Sequence, residues 1–549
     1  MNKKINARTI SLVLIFILIL ITIALLIGKF TYSYLAPTID DDVEGAGEVT
    51  ASGDTIIFTK GNTLSLSANT DNFKTGGSNL TATTNPKVKL MASSKTNSAS
   101  SKYFAGIIIK NNTYSYTTTD KKPEVILTVK DENGNIVETS SDNLKFVTVN
   151  NNLKGFDITG VSGAFNIVTD HIIATSGNKS EVIHTWTFTL TFVNLGTDQS
   201  NNENSTLNID VVLQKDKIPT TIADVCGNGD NLGNCIVNYY NGLNTASNIY
   251  YHDSNLTNGA GDNSYRYAGA SDQVNNYVCF GSNVTPCPTD NLYRIIGVID
   301  GKVKLIKYDY ATSALLGADG DYKQAYTATG YSSSNYKGNN LANVAAYNWN
   351  KSNQNTWSLS NLNKTNLNTN FITNIGADWA NKIVETTWKV GGNTWANIGT
   401  QPAKTAYQNE IVNPVTTNSQ DNATELKAKI GLMYVSDYMY AAPQDKWTLV
   451  GYNGSDASKD YRAATSVNWM YMGLVEWTLS RCADDSYIAF RVTLTGYVLY
   501  NDVGSIAYGV RPVFNLSSSV NYASGSGTAA DPISINWLTD SFEKASPLT

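Results

Sequence analysis

The most regular pattern in the chain is an alternation of bulky and polar side chains with a period of two, which is typical of a half-buried β-strand. Between His184 and Phe192 the bulky residues alternate with four threonines. The dipeptide Asn133-Gly134 stands between two apolar runs and predicts a hairpin turn. Further apolar runs predict strands at 56–58, 64–66, 88–90, 125–129 and 211–213. These strands together predict an all-β sandwich over residues 48–215.

The pattern changes in residues 226–536, where predicted strands are interspersed with predicted helices. The dipeptide Asp300-Gly301 between two apolar runs is a strong signal for a two-residue hairpin turn. Apolar residues then recur at near-helical spacing from Leu359 to Ile375. The other predicted elements are strands at 293–299, 302–307 and 430–434, a helix at 423–429 and a helix that begins at Ser436. We therefore predict an α+β fold overall, with a C-terminal tail at 537–549.

One long apolar segment precedes both regions. Residues 10–28 contain no charged side chain and are nearly long enough to cross a bilayer as a helix. Lysine and arginine residues lie in the tail 1–9, whereas acidic residues follow at 40–44, so the positive-inside rule places the N terminus in the cytoplasm. We expect an N-terminal transmembrane helix, hence a single-pass protein of the cell membrane with the bulk of the chain extracellular. A cleaved signal peptide is the alternative.

Composition narrows the possible functions. The 40 Lys and Arg residues against 46 Asp and Glu residues give a net charge of −6, which argues against a nucleic-acid-binding protein. Three histidines and five cysteines offer few metal ligands or nucleophiles, and no common catalytic motif is present. We expect no enzyme activity, catalytic residue, cofactor or metal site. His184, on a strand beside Trp186 and Phe188, is interpreted as a packed or edge histidine rather than a ligand.

Four of the cysteines form two closely spaced pairs. Cys226 and Cys235 flank a Gly- and Asn-rich stretch, and Cys279 and Cys287 flank another short loop. Two short-loop disulfides are the simplest pairing for an exported chain, and four unpaired thiols are the alternative. No other cysteine lies close to Cys482 in the sequence.

Four segments carry a resemblance to a known family. They are YRIIGV at 293–298, IGLMYVSDY at 430–438, WTLSR at 477–481 and GVRPVFNL at 509–516. Together they resemble bacterial C-type-lectin-like domains, and more narrowly the formylglycine-generating-enzyme-like variable proteins of diversity-generating retroelements. The resemblance covers about residues 250–535. The N-terminal β domain resembles, in general style, the β-sandwich subunits of Gram-positive biofilm fibres.

In that family, the residues before the Val-Arg-Pro strand are rewritten by adenine-directed mutagenesis, mostly at Asn codons. Substitution of either adenine of AAC or AAT never yields Lys, Glu, Gln, Met or Trp, and none of these occurs in residues 482–508. The segment combines an apparent framework with an irregular set of residues that would contact a ligand. The framework consists of Phe490, Val492, Gly496, Val498 and Val503. The candidate ligand-binding residues are Asp485, Tyr487, Ile488, Arg491, Thr493, Tyr497, Leu499, Tyr500, Asp502, Ile506 and Tyr508.

An ordinary β-meander is the alternative interpretation of this segment. Cys482 is interpreted as a product of codon mutagenesis, and the alternative is that it is a buried free cysteine. Trp469 and Trp477 are expected in the core, and Arg511 is expected to tie the last strand in place by hydrogen bonds. Formylglycine-generating relatives of this family use a pair of cysteines for a copper-dependent oxidation, whereas Cys482 has no second cysteine near it in the sequence. Some relatives bind calcium, but the sequence shows no set of ligands that identifies a site.

The predicted function is recognition at the cell surface. We expect a bacterial, membrane-anchored adhesin or receptor-like protein whose C-terminal domain binds an unknown protein or glycan partner. Exposed tyrosines supply rigid contact area, and charged side chains supply directional contacts. The alternative is a structural extracellular-matrix or pilus-like subunit, in which the β-sandwich polymerises and the C-terminal domain is fixed and binds glycans.

Overall fold

The computed structural model describes most of the chain from Ala46 to Trp537. The described residues are 46–51, 54–68, 73, 76–92, 98–110, 112–142, 144–150, 152–175, 180–331, 334–394, 400–414 and 424–537. No helix in these ranges is long and apolar enough to cross a membrane, which contradicts the predicted single-pass membrane localisation. The segments behind that prediction, 1–9 and 10–28, lie outside the described residues, as does the predicted tail from 538 onward.

The described part of the N-terminal region is built from antiparallel strands. They are β1 (Ala46–Ala51), β2 (Asp54–Thr59), β3 (Leu64–Ser67), β4 (Leu80–Thr84), β5 (Lys87–Met91), β6 (Ser100–Lys110), β7 (Val125–Lys130), β8 (Phe146–Asn150), β9 (Leu153–Asp157), β10 (Gly163–Ala174), β11 (Glu181–Thr185), β12 (Thr187–Phe192) and β13 (Thr206–Gln214). They form three sheets with the orders β1-β2-β5-β11, β10-β6-β13-β3 and β4-β12-β7-β9-β8. Side chains from all three sheets fill one core.

The alternating pattern from His184 to Phe192 forms two strands instead of one. β11 pairs with β5, whereas β12 pairs with β4 and β7 in a different sheet. Trp186 lies between them, is fully buried, and donates its backbone N–H to the Pro86 carbonyl at 3.0 Å, a normal hydrogen-bond distance. The chain therefore passes from one sheet to another at Trp186, although the period of two continues across the break.

The second region contains shorter strands. They are β14 (Ile249–His252), β15 (Ser264–Tyr267), β16 (Tyr277–Cys279), β17 (Leu292–Ile299), β18 (Lys302–Lys307), β19 (Tyr322–Ala325), β20 (Ala345–Tyr347), β21 (Ile383–Val384), β22 (Thr386–Lys389), β23 (Gly392–Asn393), β24 (Glu425–Ala428), β25 (Ile430–Gly431), β26 (Glu476–Cys482), β27 (Ile488–Val492), β28 (Val498–Asp502), β29 (Val513–Leu516), β30 (Val520–Ser524) and β31 (Ser534–Trp537).

Helices in the described residues are short. The α-helices are α1 (Leu232–Leu243), α2 (Ser313–Leu316), α3 (Ile372–Asn374), α4 (Ala377–Ala380), α5 (Ala403–Tyr407) and α6 (Val435–Tyr440). Two π-helices span Leu362–Phe371 and Gln408–Val412. Single 3₁₀ turns lie at Ser200–Asn202, Ile222–Asp224, Asn244–Ser247, Thr289–Asn291, Tyr326–Ala328, Leu341–Asn343, Trp357–Leu359, Gln444–Lys446, Ala457–Lys459 and Tyr461–Ala464.

Two sheets organise the second region. The larger has the order β14-β15-β17-β18-β29-β21, with β16 also on β17 and β25 also on β29; the other has the order β23-β26-β27-β28. The predicted hairpin turn joins β17 to β18, and both Asp300 and Gly301 have positive φ, at 50° and 68°. The buried carboxylate of Asp437 in α6 pairs with Arg266 of β15 and Lys304 of β18, at 3.1 and 2.6 Å.

The predicted α+β class is wrong, because the structure is mostly β-sheet, with 36% strand and 18% helix. The helix predicted at 423–429 is replaced by β24, whose alternation of exposed Glu425 and Lys427 with half-buried Leu426 and Ala428 has the period of a strand. The helical spacing from Leu359 to Ile375 corresponds to the π-helix and α3. Ser436 lies inside α6, and Tyr434 is the N-cap residue.

Candidate ligand-binding site

The predicted variable segment contains a β-hairpin whose two faces differ in burial. In the register of β27 with β28, Phe490 lies opposite Tyr500 and Arg491 lies opposite Leu499. Side chains alternate between faces along each strand, so the framework residues Phe490, Val492 and Val498 share the inner face. All three are buried, which places the framework in the core.

The outer face of the hairpin carries Arg491, Leu499 and Asn501, all of them half-buried. The Arg491 guanidinium lies 4.9 Å from the centre of the Tyr508 ring, within cation–π range. The Tyr508 hydroxyl accepts a hydrogen bond from the Asn501 side chain and lies 3.1 Å from the Tyr331 hydroxyl. Burial raises the pKa of Tyr508, so its hydroxyl remains protonated at neutral pH.

Arg491 has no carboxylate partner within ion-pair distance among the residues that the structure describes. Its Nε atom is buried and makes no hydrogen bond. An arginine that is packed on an aromatic ring and lacks an anionic neighbour retains the capacity to bind an acceptor group from outside. Arg491 is therefore the strongest candidate for a directional contact with a ligand.

A second aromatic element adjoins the outer face at the start of β28. The rings of Tyr452 and Tyr497 stack with centroids 4.8 Å apart and an interplanar angle of 30°. The Arg462 guanidinium lies 5.0 Å from the Tyr497 ring, and its Nε donates to the Asp460 carboxylate at 2.9 Å. The Val498 backbone N–H donates to the Gly451 carbonyl at 2.8 Å, which fixes this loop to the hairpin.

Leu499 and Asn501 alternate with inward-facing residues along β28, and Arg491 lies opposite Leu499. Tyr497 directly precedes the strand. We define the recognition face as Tyr452, Arg462, Arg491, Tyr497 and Leu499. Each of its side chains is half-exposed. The face thus combines two stacked rings, an aliphatic side chain and two guanidinium groups, on strands whose opposite side is packed in the core.

The structure separates the predicted ligand-binding residues into groups, and three of them are buried. Ile488 is 8% exposed and lies on the inner face, Thr493 is 3% exposed in the turn, and Tyr508 is fully buried against Trp477. Strand alternation and core packing bury these side chains, so they offer little surface to a ligand in this structure. The irregular residue pattern of the segment does not reveal on which face a residue lies.

Four other predicted residues have local structural roles. Tyr500 and Ile506 are half-buried and pack against the core. The Asp485 carboxylate accepts the Tyr487 backbone N–H at 3.0 Å, and the Asp502 carboxylate accepts those of Gly504 and Ser505 at 2.8 Å. Tyr487 is 44% exposed and lies at the opposite end of β27 from the stacked tyrosines. Arg491, Tyr497 and Leu499 are the predicted residues that the structure brings together.

Sequence reasoning did not identify Tyr452 or Arg462 as part of a site. They lie 36 and 26 residues before the first strand of the hairpin, in or next to a Gly-, Ser- and Asp-rich loop with no motif, where one tyrosine among 32 carries no signal. Asp460, which is buried and binds Arg462, gives the loop its shape. The three-dimensional contact between this loop and β28 is what makes them candidates.

The scaffold beneath the recognition face is held by a buried ion pair. Arg511 donates from Nε and Nη2 to the Glu476 carboxylate at 2.7 and 2.9 Å, and to the Met470 carbonyl at 2.7 Å. The predicted structural role of Arg511 is confirmed. Trp469 and Trp477 are fully buried, as predicted. These contacts connect β26 to the segment that precedes β29, and so fix the strand on which the hairpin is paired.

The cysteine predictions are also tested by the structure. Cys226 pairs with Cys235 and Cys279 pairs with Cys287, so both predicted disulfides are confirmed. Cys482 is buried, belongs to neither disulfide, and its Sγ donates to the Asp484 carboxylate at 3.0 Å. This environment matches the alternative interpretation of Cys482 as a structural thiol.

Within the described residues of the second region, no cluster of three His, Cys, Asp or Glu side chains is spaced to hold a metal ion. No protein-family model matches the chain, and neither curated proteins nor solved structures yield a match. The function is therefore argued from the chemistry of the recognition face.

Proposed function

We propose that this chain is a ligand-binding protein and that its ligand, a protein or a glycan, docks on the recognition face. The observation that carries the proposal is Arg491, which forms no ion pair within the described residues and lies opposite Leu499, two residues along the chain from Tyr497 of the Tyr452–Tyr497 stack. Tyrosine and arginine dominate the energetics of binding surfaces, because they offer large rigid rings and several hydrogen-bond donors at low cost in conformational entropy.

The same chemistry suggests what the ligand offers. Stacked, half-exposed rings suit either the apolar face of a sugar or an aliphatic or aromatic side chain. Arg491 and Arg462 favour carboxylate or carbonyl groups next to that apolar surface. The net charge of −6 makes a polyanionic partner such as nucleic acid a poor match for this chain.

The resemblance to variable proteins of diversity-generating retroelements supports a further part of this proposal, namely that the recognition face is diversified. Nucleotide sequencing of the gene and its flanks across a growing population tests it. We expect a near-copy of codons 477–516 that differs almost only at adenines, with changes at codons 491, 497 and 499. Codons 490, 492 and 498, which encode buried residues, should stay constant. An invariant locus without such a copy would refute diversification and leave a fixed binding protein.

Binding itself is tested with defined probes, namely an immobilised glycan panel and a displayed random-peptide library. For the probes that bind the wild-type protein, Arg491→Ala and Tyr497→Ala should each weaken binding at least about tenfold, or about 1.4 kcal/mol. Tyr251→Ala is the matched control, because Tyr251 stacks on Tyr265 with centroids 4.6 Å apart outside the recognition face.

Two results would count against the proposed site. One is that neither probe set gives binding above background. The other is that both variants keep wild-type affinity, or that Tyr251→Ala weakens binding as much as they do. Circular dichroism of each variant separates loss of binding from loss of fold.

A further inference from the structure

Two of the three histidines in the chain meet a glutamate in the N-terminal region. Glu132 lies in the turn after β7, His171 lies on β10 and His184 lies on β11, and these strands belong to three different sheets. Glu132 Oε2 lies 3.0 Å from His171 Nε2 and 3.9 Å from His184 Nδ1. One potential ligand atom from each residue lies within 4.8 Å of the other two. We call these three residues the His-Glu cluster.

An irregularity of β10 directs His171 toward this cluster. In the pairing of β10 with β6, Val168 lies opposite Ala105 and His171 lies opposite Tyr103, so β10 has one extra residue between these two pairs. Asp170 within this bulge has a φ of 54°. A bulge reverses the alternation of the residues that follow it and turns a side chain to a new direction. The ring of His171 consequently faces that of His184, with centroids 5.5 Å apart.

The turn that carries Glu132 is fixed by its own hydrogen bonds. The Asp131 carboxylate accepts the backbone N–H groups of Asn133 and Asn135 at 2.9 and 2.8 Å. The Asn133 side chain donates to Glu132 Oε1 at 3.1 Å. This contact occupies one carboxylate oxygen and leaves Oε2 directed at the two imidazoles. Partners of this kind orient the ligands of metal sites.

Buried aromatic rings form the inner wall of the cluster. Tyr103 and Trp186 are fully buried, and their ring centroids lie 5.2 and 5.0 Å from that of His171. Trp186 Nε1 donates to the Tyr103 hydroxyl at 2.7 Å, and that hydroxyl lies 3.0 Å from His184 Nδ1. The side chains of His171, His184 and Glu132 are 22, 12 and 19% exposed, so the cluster is open to solvent on its outer side.

We propose that the His-Glu cluster binds a divalent transition-metal ion of the Zn²⁺ type. Ligand atoms about 2.0–2.2 Å from such an ion lie about 3.0–3.6 Å apart, so a small closure of the cluster completes the site. Imidazole ligands favour Zn²⁺, Cu²⁺, Ni²⁺ and Fe²⁺ over Ca²⁺ and Mg²⁺. A coordination bond at His184 Nδ1 replaces its hydrogen bond with Tyr103.

The proposed ion cross-links three sheets, because each protein ligand comes from a different one. Three protein ligands leave at least one coordination position for water. Sequence reasoning did not find this site, because 39 residues separate Glu132 from His171 and 13 separate His171 from His184. No zinc motif has such spacing.

Isothermal titration of the full chain with ZnCl₂ after treatment with a chelator tests the proposal. We expect one Zn²⁺ per chain, with affinity reduced at least about tenfold by Glu132→Gln and by His171→Gln. Glu138→Gln is the matched control, because Glu138 is exposed, carries the same charge and lies six residues away. It should bind Zn²⁺ as the wild type does.

A wild-type measurement covers the case in which the variants do not fold. In ¹H–¹⁵N spectra of the imidazole groups, Zn²⁺ should shift the signals of His171 and His184 and leave those of His252, which lies in the second region, unchanged. The proposal fails if Zn²⁺ does not bind stoichiometrically, if folded Glu132→Gln and His171→Gln bind it as tightly as Glu138→Gln, or if the imidazole signals of His171 and His184 do not move.

Discussion

Glu410 is a carboxyl group in the interior of the second region, and its environment links stability to pH. It accepts hydrogen bonds from Ser480 Oγ at 2.5 Å and from the Ser436 backbone N–H at 3.1 Å. Burial outweighs these bonds and raises the pKa of Glu410 to about 7. Between its ordinary pKa of 4.5 and about pH 7, the native state holds a proton that the unfolded state has lost. The free energy of unfolding therefore decreases as pH rises through this window.

Glu410→Gln should remove this pH dependence and stabilise the second region by about 1–3 kcal/mol at pH 8, since each pKa unit corresponds to about 1.4 kcal/mol. The side-chain carbonyl of glutamine can accept from the Ser436 backbone N–H as Glu410 does, and its amide can donate to the Ser480 hydroxyl in place of the bond that Glu410 accepts from Ser480. Urea unfolding at pH 5 and pH 8 measures the effect, with exposed Glu385→Gln as the control. Equal pH dependence in Glu410→Gln and wild type would show that Glu410 is ionised in the native protein.

For single residues, the sequence predicted the kind of role that a side chain has better than it predicted on which face of a strand the side chain lies. Arg511, Trp469 and Trp477 are buried, in agreement with the structural roles predicted for them. The irregular residues of 482–508 could not be assigned to a face, because the strand boundaries that set the alternation were unknown. Tyr508 shows the consequence: it is chemically suited to binding and fully buried.

The hairpin between β27 and β28 depends on a glycine in its turn. Gly496 has a φ of +90°, and a Cβ atom there would lie 2.1 Å from Thr465 Cγ2. Its carbonyl accepts the Tyr438 hydroxyl at 2.7 Å. Gly496→Ala should therefore combine left-handed backbone strain with a steric clash and destabilise the second region by about 2–4 kcal/mol. Chemical unfolding followed by tryptophan fluorescence measures this loss.

The variant Gly301→Ala separates the effect of backbone strain from the effect of the steric clash. Gly301 also has positive φ, at +68°, but a Cβ atom there would meet nothing within 4 Å. The Gly301→Ala variant should therefore lose only about 1–2 kcal/mol of unfolding free energy, from the backbone strain alone. If both variants lose the same stability, Thr465 moves aside and the turn is less constrained than its packing indicates. Gly496→Ala should also weaken binding at the recognition face, because Tyr497 follows directly in the chain.

Elements were predicted well where a local signal was sufficient. The Asp300-Gly301 turn formed as expected, because a two-residue hairpin with positive φ is determined by its own residues. The helix predicted at 423–429 became β24, because pairing with β22 overrides a weak helical preference. The chain changes sheets at Trp186 because β11 pairs in one sheet and β12 pairs in another. Local sequence contains no information about that choice.

At the scale of the whole molecule, the described residues form two large hydrophobic cores, one within each region. A few residues of the first region, such as Ala164, contact the core of the second. Both disulfides lie in the second region and close short loops, with sequence separations of 9 and 8. In the chain-entropy model each stabilises the folded state by about 2–3 kcal/mol, so the two regions should differ in sensitivity to reductant.

We expect calorimetry to show two unfolding transitions, of which only one moves to lower temperature when the protein is reduced. Nine of the ten tryptophans follow residue 226, so tryptophan fluorescence should report mainly the transition that moves. Cys482→Ser, which removes the fifth thiol but neither disulfide, serves as the control and should leave the response to reductant unchanged. A single transition that shifts as a whole would mean that contacts such as those of Ala164 couple the regions into one cooperative unit. Ligand binding at the recognition face would then also raise the unfolding temperature of the N-terminal sheets. Zn²⁺ bound at the His-Glu cluster would likewise stabilise both regions together.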